Sequence, residues 1–257
     1  MLLLTSASGS PGVTTLAVGL ALTWPRPVLL ADCDPGAHQS VLAGYLAGQS
    51  SGGKGLLRVA EAHRDRRALR EVVIDQCLPL AGEDGERRLF LPGFAGPASA
   101  TLFGPVWDEL SDTFGRLGEV GYDVIVDAGR VGPDGVPSPL LDRSAVTGLV
   151  LSSGLRAVMS ARAHLPALTE HERLGTAGRV GLVLVGEGEP YGRSEIARAL
   201  GAGVHAVLPH DPASAAHLSD GRPRHRRFDS SPLVRGLRAA AGTLAARLEC
   251  STEAVLG

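Results

Sequence analysis

Short apolar runs alternate along this chain with segments whose apolar residues recur at helical spacing. The runs predict buried strands over residues 2–5, 28–31, 88–91, 122–126, 148–151, 180–185 and 204–208. The spaced segments predict helices over residues 14–23, 56–71 (a solvated helix), 107–117, 159–168, 193–200 and 232–248. Apolar strands that alternate with helices are typical of a parallel sheet covered on both faces. We therefore expect an α/β fold with one doubly wound, mostly parallel sheet, in a single domain over residues 1–257.

Polar or glycine-rich residues follow four of the predicted strands. The first strand is followed by Gly9, Ser10, Pro11, Gly12, Val13, Thr14 and Thr15. Asp32 and Asp34 follow the second strand, Asp127 follows the run over residues 122–126, and Pro209-His210-Asp211 follows the last strand. Ligands of parallel sheets bind beyond the carboxyl ends of the strands, so these residues are the candidate site.

The loop over residues 9–15 has the spacing of a phosphate-binding loop. Its glycines allow consecutive amides to face one anion, and the following helix offers its positive end. Thr14 stands where a hydroxyl would bind Mg²⁺, and Asp127 is placed like an acidic residue that holds a Mg²⁺-bound water. Each signal alone is weak, because a Gly/Ser/Pro loop is most often a turn and a strand-ending aspartate often caps a helix. Their combined order favours a nucleotide site.

This order of motifs resembles that of the ParA/MinD group of P-loop ATPases. That group has Lys-Gly-Gly-x-Gly-Lys-Thr-Thr in the first loop, where this chain has residues 8–15. The group's Asp-x-Asp-Pro motif corresponds to Asp32-Cys33-Asp34-Pro35, and its Tyr-Asp-x-x-x-x-Asp motif to residues 122–127 with one residue fewer. Pro209-His210-Asp211 resembles the group's Pro-x-Asp sequence, which lies beside the adenine.

The resemblance implies ATP or ADP with Mg²⁺ as the cofactor. It assigns the phosphates to residues 9–15, the adenine to Pro209 and Asp211, and the metal to Thr14, Asp32 and Asp127. Asp34 would be the catalytic residue that orients the attacking water. The resemblance also implies a homodimer that positions partner proteins. A cytoplasmic location is expected separately, because no basic segment precedes the first apolar run. A narrower likeness, to atypical actinobacterial MinD-like proteins of the TadZ/CpaE type, implies pilus or secretion assembly machinery as the partner.

The departures from the group's pattern concern both lysines of the loop, which are replaced by Ser8 and Val13. A charge-assisted hydrogen bond contributes about 1.5–3 kcal/mol, so losing one weakens ATP binding roughly 10- to 150-fold. Arg130 is either a substitute for the lysine or an ordinary surface arginine. The asparagine that usually follows the strand at 180–185 is also missing. We expect weak or absent ATPase activity, with a working ATPase as the alternative.

Composition limits the class of partner. The net charge of −2 and the aromatic content of 4% argue against a protein that mainly coats nucleic acid. One dense basic run, with Arg222, Arg224, Arg226 and Arg227, would either contact DNA or form a solvated loop. The last helix is expected to pack on the sheet, with no more than peripheral membrane contact. The three cysteines lack disulfide or zinc spacing, as is typical of reduced cytoplasmic thiols.

Overall fold

The computed structural model describes residues 1–8, 12–80, 88–132, 135–169, 178–188 and 190–256, the last five without their side chains. Its strands form one eight-stranded sheet in the order β3-β4-β2-β5-β1-β6-β7-β8. They are β1 Leu2–Ser6, β2 Val28–Asp32, β3 Leu78–Pro79, β4 Arg88–Leu91, β5 Asp123–Arg130, β6 Val146–Ser152, β7 Val180–Val185 and β8 Val204–Leu208. Every pairing is parallel except that of β3 with β4. The mostly parallel sheet expected from the sequence is confirmed.

Helices cover both faces of the sheet. The described helices are α1 Val13–Thr23, α2 Ser40–Ala43, α3 Leu56–Arg64, α4 Leu69–Val72, α5 Pro97–Thr101, α6 Trp107–Arg116, α7 Ser138–Arg143, α8 Leu155–Thr169, α9 Arg193–Leu200, α10 Pro212–Asp220 and α11 Pro232–Leu256. Successive side chains of a strand point to opposite faces. Leu2 and Leu4 accordingly pack with α1 and α11, whereas Leu3 packs with α6 and α8 on the other face.

The connections that leave β1 and β6 diverge. These two strands are hydrogen-bonded neighbours, with Ser6 paired to Val150. The chain leaves β1 into α1 on one face of the sheet and leaves β6 into α8 on the other face. Such a divergence opens a crevice at the carboxyl edge of a parallel sheet, where ligands of this fold class bind.

The last helix packs against the sheet as expected. Its apolar stripe, Leu233, Leu237, Leu244 and Leu248, is buried against α1 and β8. The helix runs to Leu256, eight residues beyond the predicted end at Leu248. In the part of the chain that the structure describes, no helix is long and apolar enough to cross a bilayer.

Two predictions of local structure were wrong, and one helix beside the cavity was missed. The single solvated helix predicted over residues 56–71 is two helices, α3 and α4, and both bury apolar side chains. Asp127 does not end its strand, because β5 continues to Arg130 beside the end of β1. The helix Pro212–Asp220 was not expected at all.

Candidate functional site

A cavity of about 1110 Å³ opens at the crevice between β1 and β6. Its walls come from the connections that follow β1, β6 and β8. The lining residues used below are Ser8, Gly12, Thr15, Arg156, Pro209 and Asp211. The volume slightly exceeds the range of roughly 300–1,000 Å³ that is typical of small-molecule and cofactor pockets. Two sequence motifs separated by almost 200 residues, the glycine loop and Pro209-His210-Asp211, therefore meet around one space.

The start of α1 forms the phosphate-loop side of this cavity. Gly12 immediately precedes the helix in the left-handed conformation, with φ 85° and ψ 40°, which glycine adopts without strain. The first turn of α1 has neither an acidic residue nor a side-chain cap, so the positive end of the helix is uncompensated. Gly9, Ser10 and Pro11, predicted to contact phosphate, lie outside the described residues.

Val13 stands at the position of the second loop lysine and cannot replace its charge. Its side chain is 7% exposed and packs in the core beneath α1. Any contribution of Val13 to anion binding therefore comes from its backbone amide. Lys54 is the only lysine in the sequence, and its Nζ donates to the Cys77 carbonyl oxygen at 3.2 Å. No lysine replaces the missing charge.

Asp32 and Asp127 are the buried acids of the site. They occupy paired positions on β2 and β5 and are 7% and 1% exposed. Asp32 Oδ1 accepts a hydrogen bond from the Asp34 amide at 3.2 Å, and Asp127 Oδ1 accepts one from the Gly129 amide at 2.9 Å. Burial raises the pKa of both carboxyl groups, and neighbouring aspartates raise each pKa further.

The second oxygen of Asp127 is the unusual atom here. Asp127 Oδ2 is buried and has no hydrogen-bond partner among the described residues. Burial dominates the raised pKa of this carboxyl group, and the nearby Thr14 side chain opposes that rise in part. A hydroxyl and two carboxylates are oxygen donors of the kind that Mg²⁺ prefers. The residues present therefore fit the metal that the sequence predicted.

Protein side chains alone do not surround a metal here. Within the described residues, no group of three or more His, Cys, Asp or Glu side chains is arranged to hold a metal ion. That finding agrees with the way Mg²⁺ is bound at nucleotide sites. One or two carboxylates usually hold it together with water and phosphate oxygens.

Asp34 lies next to the acidic pair and above β5. Its Oδ1 accepts a hydrogen bond from the Gly36 amide at 2.8 Å, and its side chain is 16% exposed. A Cβ on Gly129 would overlap the Asp34 carboxylate, so the absence of a side chain at 129 sets this close approach. The thiol of Cys33, between the two aspartates, has its pKa raised well above normal by burial and then by the three carboxylates. The site is strongly acidic.

Pro209 and Asp211 also line the cavity, and the Asp211 carboxylate is already engaged. Its Oδ1 accepts from the Ser214 amide at 3.2 Å and its Oδ2 from the Leu233 amide at 3.5 Å. Asp211 thus caps α10 and approaches the first turn of α11. Pro209 packs against α11 at Gly236, where an added Cβ would lie 2.8 Å from Pro209 Cδ. These residues shape the wall that the resemblance assigns to adenine.

Arg156 is the cavity residue that sequence reasoning missed. It lies in the first turn of α8 and lines the same cavity as Gly12. Its place five residues after the strand predicted at 148–151 does not by itself indicate which loops it faces. Arg130, the substitute considered from the sequence, ends β5 and does not line this cavity.

The basic run predicted over residues 221–227 is exposed, between α10 and the 3₁₀ turn Phe228–Ser230. Arg224 is held in place, since its guanidinium lies 3.6 Å from the Asp229 carboxylate and 5.2 Å from the centre of the Phe228 ring. Arg222, Arg226 and Arg227 keep exposed side chains.

By sequence, the chain matches no protein-family model and no curated protein. By structure, it is similar to a ParA family ATPase from Chlorobium tepidum, with a TM-score of 0.72, 18% identity, and 93% of this chain and 98% of that chain covered. It is also similar to MinD in the MinC:MinD cell division complex of Aquifex aeolicus, with a TM-score of 0.71 and 16% identity over 95% of both chains. For MinD of Pyrococcus horikoshii, complexed with Mg-ADP, the TM-score is 0.66 and the identity is 16%, with 95% of this chain and 94% of that chain covered. This protein has the fold of the MinD and ParA ATPases.

Proposed function

We propose that this protein is a nucleotide-dependent switch or scaffold that binds ATP or ADP with Mg²⁺ and positions partner proteins. One observation carries the proposal. The unpartnered buried oxygen of Asp127 lies beside Thr14, at the start of the helix that follows the glycine loop. An orphaned buried acceptor costs free energy unless a ligand satisfies it, so the fold retains it for a bound cation.

The proposed arrangement assigns one role to each part of the site. Thr14, Asp32 and Asp127 hold Mg²⁺, which neutralises phosphate charge, and residues 9–15 hold the phosphates. The wall at Pro209 and Asp211 receives the base, as the resemblance implies. The MinD structure from Pyrococcus horikoshii, with the same fold, contains Mg-ADP.

Hydrolysis is proposed to be weak or absent because the site lacks the loop lysines. Ser8 and Val13 offer no charge for the β- and γ-phosphates, and Lys54 is committed elsewhere. Stabilisation of the charge that develops in the transition state is usually the largest catalytic contribution. Loss of the loop lysines therefore affects turnover more than binding. Asp34 keeps the position of a water-orienting residue, and it would act in whatever turnover remains.

A homodimer with protein partners is part of the proposal. Leu155 and Met159 are 58% and 55% exposed on one side of α8, and Leu155 lines the cavity. Apolar side chains at the edge of a ligand site are suited to contact a second protein whose affinity depends on the ligand. One structural neighbour, MinD of Aquifex aeolicus, is found in a complex with MinC. Pilus or secretion assembly components are the partner class that the narrower resemblance favours.

Titration calorimetry with ADP and ATP tests the binding proposal. We expect the wild-type protein to bind ADP more tightly with Mg²⁺ than with EDTA. Asp127→Asn should remove that Mg²⁺ dependence without weakening the metal-free affinity, because the loss of a carboxylate charge relieves repulsion of the phosphates. Asp112→Asn, at an exposed ion pair with Arg143, is the control. Absence of nucleotide binding to the wild-type protein would contradict the proposal.

A second candidate function is partitioning of DNA by an active ATPase. The exposed basic residues Arg222, Arg226 and Arg227 favour it, since cationic side chains supply nonspecific affinity for phosphates. The net charge of −2 weighs against it.

A further inference from the structure

The described lining of the cavity contains one arginine and no lysine, whereas the sequence of the glycine loop contains neither. Of its described lining residues, Arg156 is the only lysine or arginine. Among the described residues it makes no ion pair or hydrogen bond, and its side chain is exposed. A charged group without a partner at a ligand cavity is available to an anionic ligand.

The strand register places Arg156 beside the phosphate loop. β1 and β6 are adjacent, and Ser6 is paired with Val150. Adjacent strands lie about 4.8 Å apart, so the connections that follow them run side by side. Ser8 follows β1 by two residues and Arg156 follows β6 by four, and both line the cavity. A long guanidinium side chain at this place faces the same space as the start of α1.

The N-terminal ends of the helices around the cavity differ in charge. Those of α1 and α8 keep their partial positive charge, whereas a carboxylate neutralises that of α10. Neither α1 nor α8 has an acidic residue in its first turn, so both keep a positive end. The start of α10 is capped by the Asp211 carboxylate. An anionic group is therefore favoured near α1 and α8, and an uncharged group is favoured near α10.

We propose that Arg156 binds the phosphate groups of the nucleotide and replaces, from a different strand connection, the charge that Ser8 and Val13 do not supply. The inference rests on the proposed nucleotide binding. Arginine is well suited to this role because its planar fork donates two parallel hydrogen bonds to phosphate oxygens. The phosphate site would then be divided between two neighbouring connections.

The test compares three variants by calorimetry with Mg-ATP, Mg-ADP and adenosine. Arg156→Ala should weaken binding of both nucleotides by about 10- to 100-fold, since a charge-assisted hydrogen bond is lost, and leave adenosine affinity unchanged. Arg156→Lys should keep part of the affinity, because the charge remains. Arg162→Ala is the matched control: it is also exposed on α8 but does not line the cavity. Thermal unfolding should be the same for all variants.

The outcomes separate this inference from the proposed function. If the wild-type protein binds Mg-ATP and Arg156→Ala binds it equally well, Arg156 is not a phosphate ligand, and the proposed function stands. If Arg156→Ala weakens adenosine as much as ATP, the inference is also wrong, because the residue then shapes the cavity and not the phosphate site. If the wild-type protein binds no nucleotide, both proposals fail.

Discussion

Asp32 and Asp127 lie opposite each other on neighbouring strands, with both carboxyl groups buried at the carboxyl edge of the sheet. Their pKa values are raised, first by burial and then by neighbouring carboxylates. An acid whose pKa is raised in the folded state holds its proton while the unfolded chain has lost it. Its contribution to stability is therefore full below the ordinary value of 3.8 and is lost as the pH rises through the raised value.

Asp127→Asn should stabilise the protein in metal-free buffer at pH 8. The amide keeps the shape of the side chain and removes one of two adjacent buried charges, which we expect to raise the free energy of unfolding by roughly 1–3 kcal/mol. Urea unfolding at pH 5 and pH 8 measures this, and the gain should be larger at pH 8. Asp112→Asn, at an exposed ion pair, should change little at either pH. A loss of stability in Asp127→Asn at pH 8 would contradict the electrostatic account.

Asp34→Ala should leave phosphate release unchanged if hydrolysis is absent, as we propose. The residue holds the place of a water-orienting group, with its carboxylate next to Gly129 and its Oδ1 bonded to the Gly36 amide. A phosphate-release assay with saturating Mg-ATP checks this, with Asp65→Ala as an exposed control at the end of α3. Efficient turnover in the wild-type protein that Asp34→Ala abolishes would overturn the proposal of weak or absent ATPase activity.

The bounds of an element could be predicted where glycine or proline flanks an apolar or helical segment. The elements at 180–185, 193–200 and 204–208 have the predicted bounds because glycine or proline stands at their ends. The break between α3 and α4 was not predictable, because Arg66 turns the chain at φ 56° in a stretch without glycine or proline. The helix at 212–220 was missed because Pro209-His210-Asp211 was interpreted as a ligand motif, although Asp211 followed by Pro212 is an ordinary helix start.

The candidate site was predictable only where it lies in short linear motifs. Thr14, Asp32 and Asp127 could be found because each lies at or near the carboxyl end of an apolar run or at the start of the next helix. Arg156 could not be found in this way. Its relevance depends on which strands are neighbours, and the adjacency of β1 and β6 follows from sheet order, which single-sequence patterns do not determine.

Gly181→Ala should destabilise the protein through the buried imidazole of His205. A Cβ at position 181 of β7 would overlap the His205 ring, which is 6% exposed on β8. Overpacking of this kind costs about 1–3 kcal/mol. Urea unfolding of the single variants and of the double variant with His205→Ala measures the coupling, and the double variant should recover most of the loss from Gly181→Ala. Gly203→Ala, where a Cβ meets nothing within 4 Å, is the control. Equal effects of the two glycine variants would contradict the packing account.

The basic run should not hold DNA at physiological salt. Three exposed arginines on a protein of net charge −2 give a weak electrostatic attraction that counterions screen. We expect little mobility shift of duplex DNA at about 0.15 M salt. Any shift at low salt should disappear in the triple alanine variant of Arg222, Arg226 and Arg227, and should persist in Arg66→Ala/Arg67→Ala. Retention at physiological salt that the triple variant loses would instead support the partitioning alternative.

The order of the strands has a consequence for protein synthesis. β1 lies in the interior of the sheet between β5 and β6, and Gly19 of α1 approaches Leu237 so closely that a Cβ would lie 2.6 Å from Leu237 Cδ1. During translation, β5, the partner of β1, is therefore synthesised more than a hundred residues after β1. The Leu237 segment that contacts α1 is synthesised more than two hundred residues after α1. Such long-range contacts make folding slow, and nascent chains would need protection of this apolar segment. The cavity at the crevice, whose lining includes both Gly12 and Leu237, cannot form on a ribosome-bound chain until α11 has emerged.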